Sequence, residues 1–307
     1  MQVTKILMPI DFSKCSETAL DYAILLAQQY GAELHWLHVV IVDDEAPFPE
    51  DVFPDFSEIH ARLERVLQSE VGQRVSPPGA QSIRIVEQQR QALEAAPEIL
   101  DYAETEGIDF IVIGTHGHRG LKRFLLGSVA ETVVRGAPCP VLAVRGDGSA
   151  PDLRGIDRIL VPYDFSQFSR NALEAARGLG ETYGSHIDLL HVAAPAVPPG
   201  GIVGMPLPEP PHTDLTADAI RLLDQHAAAA GGPAVPSQSH VLEGSAAWRI
   251  TDFAEEHGSD LIVMGSHGLS GLRRFLLGSV SEQVVRSAPC PVLVLRPPAD
   301  SADETTE

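Results

Sequence analysis

The 307-residue sequence is short of cysteine, short of basic residues and free of long apolar runs. Each shortage removes a class of protein. Three cysteines are too few for a disulfide framework. Cys139 and Cys290 stand in matching APCPV segments and read as buried, reduced, structural thiols; Cys15 has no counterpart. Lys and Arg number 22 against 42 Asp and Glu, a formal net charge of −20. So acidic a chain lacks the basic face that nucleic-acid phosphates require, so no nucleic acid is expected as a partner. The charge reads as a solubility device. No apolar stretch approaches the ~18 residues that a membrane crossing needs. The opening MQVTKILMPIDFS has a short apolar stretch with Asp11 directly after it, not the layout of a signal peptide. No membrane partner is expected, and the expected location is the cytoplasm. No GxxxxGK[ST] appears, so the lysine that reaches terminal phosphates in a Walker A loop is missing. No Cys/His grouping has zinc spacing, and nothing resembles a nucleophile–base–orienter set.

What is present is one unit written twice. Residues 114–145 and 265–296 align without gaps and are identical at 23 of 32 positions. KILMPIDFS from Lys5 matches RILVPYDFS from Arg158, and LHV occurs at Leu37–Val39 and Leu190–Val192. The period is about half the chain, which fits a tandem duplication of a domain. The expected units are residues 1–147 and 156–297, with a Gly/Pro/Asp-rich linker over 148–155 and an acidic, disordered tail over 298–307.

Within the first unit the pattern alternates strand and helix. Strands are expected at Lys5–Met8, Leu34–Val40, Ser82–Glu87, Phe110–Ile113 and Val141–Arg145. Helices are expected at Ser16–Tyr30, Asp55–Val71, Pro97–Glu106 and Ser128–Arg135. The second unit repeats the series, with strands near Ile159–Val161, Ile187–Val192, Gln238–Leu242, Leu261–Met264 and Val292–Leu295. Such alternation implies an open, mostly parallel sheet.

The chemistry gathers after the fourth strand of each unit. Gly114, Gly117 and Gly127-Ser128 recur as Gly265, Gly268 and Gly278-Ser279. Glycines after a strand let backbone approach a ligand, and the Gly-Ser pair opens a helix whose free N–H groups favour an anion. The spacing is not GxGxxG. Asp11 and Asp164 also follow a strand directly. If the first and fourth strands are neighbours, each carboxylate faces its glycine loop and can accept hydrogen bonds from a ribose or base. Turn glycines and a capping aspartate are the plain alternative readings. His116 and His267 lie inside the glycine loops, and Lys122, Arg123, Arg273 and Arg274 lie further along them.

These residues resemble the universal stress protein family in its tandem, two-domain form. The resemblance rests on PIDFS and PYDFS, on the two LHV segments, on G-x2-G-x9-G-S at 114–128 and 265–279, and on the closing APCPVL. It implies two tandem Rossmann-like (adenine nucleotide alpha hydrolase-like) domains. Each would be an open five-stranded parallel sheet in the order 3-2-1-4-5 with helices on both faces. It also implies an ATP site. Pro9, Asp11, Pro162 and Asp164 would lie on the ribose and adenine side, with Val39 and Val192 holding the adenine edge through backbone. Gly114, His116, Gly117, Gly265, His267 and Gly268 would pass near the ribose and phosphates. Gly127, Ser128 and Val129, with Gly278, Ser279 and Val280, would cradle the phosphate chain. Mg²⁺ or Mn²⁺ would travel with the ATP. The function so implied is a nucleotide-dependent stress-response regulator. A slow ATPase or phosphotransferase, and a scaffold that binds no nucleotide, are the rival classes.

One position departs from the pattern. The second unit has Gly244 in LEGSAAWRI, and the first has Leu93 in QALEAAPEI. The second site is therefore expected to be the more open. The last strands are expected to pair across the two units, because an open apolar edge invites a partner. Assembly of two chains into a homodimer stays open.

Overall fold

The structure, a computed structural model, describes residues 3–42, 57–69, 83–115, 126–146, 156–193, 215–267 and 277–296. The first half runs β1 (Lys5–Pro9), α1 (Lys14–Tyr30), β2 (Glu33–Ile41), α2 (Ser57–Gln68), β3 (Ile85–Ala92), α3 (Ala95–Thr105), β4 (Phe110–Gly114), α4 (Ser128–Gly136) and β5 (Val141–Val144). The second half runs β6 (Arg158–Pro162), α5 (Gln167–Tyr183), β7 (His186–Ala193), α6 (Leu215–Ala229), β8 (Ser237–Glu243), α7 (Ala246–Glu256), β9 (Leu261–Gly265), α8 (Ser279–Ser287) and β10 (Val292–Leu295).

The strands lie in the order β3-β2-β1-β4-β5-β10-β9-β6-β7-β8. Within each half the pairing is parallel. β5 and β10 pair antiparallel, with Leu293 opposite Leu142. Alternation along β1 sends Ile6 and Met8 to one face and Leu7 to the other. The first face packs on α1 and α5 through Ala19, Ala23, Ala172 and Ala176. The second packs on α3, α4, α7 and α8 through Ile99, Val133, Ile250 and Val284. Each fully buried Val, Leu, Ile or Met contributes about 1.5–3 kcal/mol, so two such layers fix the sheet.

Helix ends follow local chemistry. The hydroxyls of Ser13 and Ser166 accept from the N–H of Ser16 and Ser169 at 3.2 Å, capping α1 and α5. That cap starts α1 at Lys14, two residues ahead of the sequence expectation. The third strand is a clearer correction. It spans Ile85–Ala92 and not Ser82–Glu87. Its second half, Gln88–Ala92, is polar, and at the outer edge of a sheet polar side chains face water without breaking the ladder.

α4 and α8 meet beside the β5–β10 pair. Arg135 and Arg286 each lie 3.2–3.3 Å from both Glu131 and Glu282, a closed ring of four charges. Arg145 donates to the carbonyl of Ala288 at 2.8 Å, and Arg296 donates to that of Val134 at 2.6 Å and to that of Arg135. Each half thus satisfies carbonyls at the end of the other half's last helix.

Candidate nucleotide cleft

The second half builds a cleft where its parallel strands end, the position ligands take in open α/β sheets. β6 closes on Pro162, and the N–H of Tyr163 then donates to the carbonyl of Leu190 at 2.8 Å. The Asp164 carboxylate accepts from the N–H of Ser166 at 3.1 Å and from its hydroxyl at 2.5 Å. That is an Asx turn leading into α5. Phe165 sits at φ 66°, in the left-handed region that a non-glycine residue enters at a cost of about 1–3 kcal/mol. Two contacts stabilise the turn. The Phe165 ring lies 4.7 Å from the His191 ring, and Nδ1 of His191 lies 2.8 Å from the carbonyl oxygen of Tyr163. A carbonyl only accepts, so Nδ1 carries the hydrogen. The histidine of the LHV segment is therefore the post that holds the PYDFS turn. The first half repeats the device. Nδ1 of His38 lies 2.8 Å from the carbonyl oxygen of Ile10, Phe12 has φ 59°, and Asp11 accepts from the N–H of Ser13 at 3.0 Å.

β9 lies beside β6, so its end faces this turn. Gly265 is glycine for a reason that the motif did not show. A Cβ there would sit 2.7 Å from the Cβ of Phe168, so the residue lets α5 pack on the strand end. Gly114 does the same against the backbone of Cys15, at 3.0 Å. Gly278 donates to the carbonyl of Ser266 at 2.8 Å and passes the chain into α8 at Ser279. The hydroxyl of Ser281 donates to the carbonyl of Gly265 at 2.9 Å and ties the helix to the strand end. His267 Nδ1 lies 3.0 Å from the Ser266 hydroxyl, and its ring lies 5.7 Å from that of Phe168.

These segments enclose a cavity of about 320 Å³. Its lining divides by chemistry. β7 and α7 supply Leu190, Val192, Ala246 and Ile250; the β9–α8 region supplies Gly265, His267, Gly278, Ser279 and Ser281. Pro162, the last residue of β6, and Asp164, in the turn after it, stand between them in the lining. Of the residues singled out in the sequence, Pro162, Asp164, Val192, Gly265, His267, Gly278, Ser279 and Val280 meet at this cavity. Gly268, His116 and Gly117 lie outside the described residues, as do Lys122, Arg123, Arg273 and Arg274. In the first half Pro9, Val39 and Gly114 lie on β1, β2 and β4, Asp11 in the turn after β1, and Gly127, Ser128 and Val129 at the start of α4. The sequence reading missed Ser281, Ala246 and Ile250, and it gave His191 no role at the site. Only the i, i+4 spacing of Ala246 and Ile250 hinted that both face one way.

The universal stress protein family model matches residues 2–145 and matches again at 155–296. The chain belongs to the universal stress protein family. A universal stress protein of Mycolicibacterium smegmatis is 28% identical over 303 residues, which span 95% of this chain and 97% of that protein. Universal stress protein YxiE of Bacillus subtilis is 33% identical over 146 residues, 46% of this chain and 99% of its own length. The crystal structure of a universal stress protein from Archaeoglobus fulgidus superposes with a TM-score of 0.62 at 26% identity, covering 96% of this chain and 99% of that one. Relatives thus match the chain in full or one half of it. As a universal stress protein the chain carries two Rossmann-like α/β units. No helix among its described residues is long and apolar enough to cross a membrane.

Proposed function

We propose that this universal stress protein binds ATP in the cleft at the strand ends and acts as a nucleotide-dependent regulator of a stress response. One observation carries the reading. Five separated segments, at 162–164, 190–192, 246–250, 264–267 and 278–281, meet around one cavity of about 320 Å³. That lies within the ~300–1,000 Å³ typical of ligand sites. The apolar side of the lining suits a base. The polar side suits phosphates, because Gly278 and Ser279 open α8, where free N–H groups and the helix dipole favour an anion by about 0.3–1 kcal/mol at an exposed site. Asp164 is placed to accept from a ribose. Among the described residues no group of three or more His, Cys, Asp or Glu could hold a metal. A Mg²⁺ or Mn²⁺ ion would arrive on the phosphates, as Mg²⁺ commonly does. The same reading takes residues 1–147 and 156–297 as the two units, the β5–β10 pair as their seam, and the cytoplasm as the location.

Calorimetry with Mg-ATP tests it. The full chain should bind, Gly278→Trp should remove binding by filling the cavity, and Asp164→Ala should weaken it about tenfold. Undiminished binding by a Gly278→Trp chain with an unchanged circular dichroism spectrum rejects the site. Phosphate release at about 1 s⁻¹ or faster, the low end for enzymes, would replace a regulator with an ATPase.

A further inference from the structure

We infer that the two halves are unequal, and that the second half holds the nucleotide while the first has lost the means to do so. The inference rests on the nucleotide reading above and adds the residues that decide between the sites. Aligning the repeats in sequence puts Leu93 on Gly244, Glu94 on Ser245, Glu98 on Arg249 and Ala130 on Ser281. The exchanges fall on the turn and helix beside the cavity and on the first turn of the phosphate-side helix.

Gly244 has φ +138°, a conformation that L side chains rarely adopt. A Cβ there would lie 3.1 Å from Nε of Arg249, which donates to the carbonyl of Glu243 at 2.8 Å. The bare glycine thus lets a guanidinium lie across the β8–α7 turn, next to Ala246 and Ile250 of the cavity wall. Leu93 is not in the positive-φ region, so the β3–α3 turn follows another course, and its side chain is 66% exposed. In place of Arg249 stands Glu98, bound to Arg90 at 2.9 Å, and in place of Ser245 stands the exposed Glu94. Arg249 lies over the Trp248 ring and braces the turn from outside the cavity lining, and the first half has no such brace, since a carboxylate stands where the guanidinium would be. Ser281 adds a third difference. Its hydroxyl holds the Gly265 carbonyl at 2.9 Å and lines the cavity, whereas Ala130 is buried and has no hydroxyl to hold Gly114.

The test uses the full chain with Mg-ATP, by calorimetric stoichiometry and by hydrogen exchange read by mass spectrometry. One nucleotide per chain is expected, with protection in peptides covering 162–166 and 277–285. The corresponding peptides, 9–13 and 126–134, should exchange as without ATP, as follows from an affinity at least about tenfold weaker. A Leu93→Gly, Glu94→Ser, Ala130→Ser chain should gain a second equivalent, its melting curve reporting that it is folded. Two equivalents in the wild-type chain overturn the inequality, and protection confined to the first half overturns the choice of the second, while the nucleotide reading stands. A folded triple variant that gains nothing overturns the assignment to these residues. No ATP bound by any chain overturns the nucleotide reading itself.

Discussion

Asp188 offers the sharpest test of what holds the second half together. It lies on β7 with its side chain 0% exposed, 2.7 Å from Nε of Arg158 and 2.9 Å from Nε2 of His240, with Nε2 of His186 at 3.7 Å. Burial pushes its pKa up. The hydrogen bonds from Arg158 and His240, aided by their charge, outweigh burial and hold the carboxyl below the usual carboxylate range. Replacing Asp188 with Ala removes two hydrogen bonds to an ionised group, each about 1.5–3 kcal/mol. Breaking a fully buried pair costs about 3–5 kcal/mol, because the abandoned charge stays in low dielectric. The Arg158 side chain is 37% exposed and can turn to water, so the cost should fall below that range. We expect about 2–3 kcal/mol, or about 5–10 °C in the melting temperature of a domain this size.

The pH dependence gives this prediction its sign. A carboxyl whose pKa is depressed on folding contributes stability above its unfolded pKa of about 3.9, and that contribution fades as pH falls through the folded value. The gap between wild type and Asp188→Ala should therefore be full at neutral pH and shrink below about pH 4. Urea denaturation across pH, followed by far-ultraviolet circular dichroism, measures it. A gap under about 0.5 kcal/mol at pH 7, the size of an ordinary surface substitution, would sink the reasoning. So would a gap that does not change with acid.

Two further outcomes follow from the seam and from the thiols. The ring of Glu131, Arg135, Glu282 and Arg286 has side chains 29–41% exposed, so Glu131→Gln with Glu282→Gln should cost only about 1 kcal/mol and should matter less in 1 M salt. An identical urea midpoint shift at low and high salt would remove the ionic explanation. Burial pushes the thiols of Cys139 and Cys290 up to about 12, so neither presents a thiolate at neutral pH. A thiol reagent should modify them only at the rate of unfolding, and labelling as fast as a free small thiol would contradict their burial.

The features legible in the sequence were those whose physics is local. Gly-Ser before VSEQVVR announces a helix start, DFS after a strand announces an Asx turn, and an apolar run of LIVM announces a strand covered on both faces. What stayed hidden depends on partners far along the chain. Gly265 reads as a ligand glycine, and only Phe168 packed on it shows the second reason for the missing side chain. His191 reads only as the middle of an LHV repeat until the Tyr163 carbonyl shows what it holds. The outer half of β3 reads as loop, because its pairing with β2 adds no apolar signal on a wet edge. Ala246 and Ile250 carry no motif, and only the placement of α7 against β7 brings them to the cavity.

The two halves differ most where they bury polar groups, and this explains why a duplicated unit diverges without losing its fold. In the first half the place of Asp188 is taken by His35, that of His186 by Glu33, and that of Phe253 by Tyr102. His35 is 2% exposed; its Nδ1 lies 2.7 Å from the Tyr102 hydroxyl and its Nε2 lies 3.0 Å from Glu33. Burial lowers the His35 pKa, with Glu33 opposing. One half thus solves the site with an imidazole between a phenol and a carboxylate, and the other with a carboxylate between a guanidinium and an imidazole. Asp188 accepts from both partners, whereas Nε2 of His35 lies close to Glu33 without a hydrogen bond, and a hybrid would fare worse than either. A carboxylate at position 35 would face Glu33 across a few ångströms, with the nearest β1 cation, Lys5, already donating to the carbonyl of Glu106. The two polar sets are thus not interchangeable residue by residue, while the apolar residues on either side, Leu34 and Trp36 against Ile187 and Leu189, keep the strand in register and the core closed in both halves.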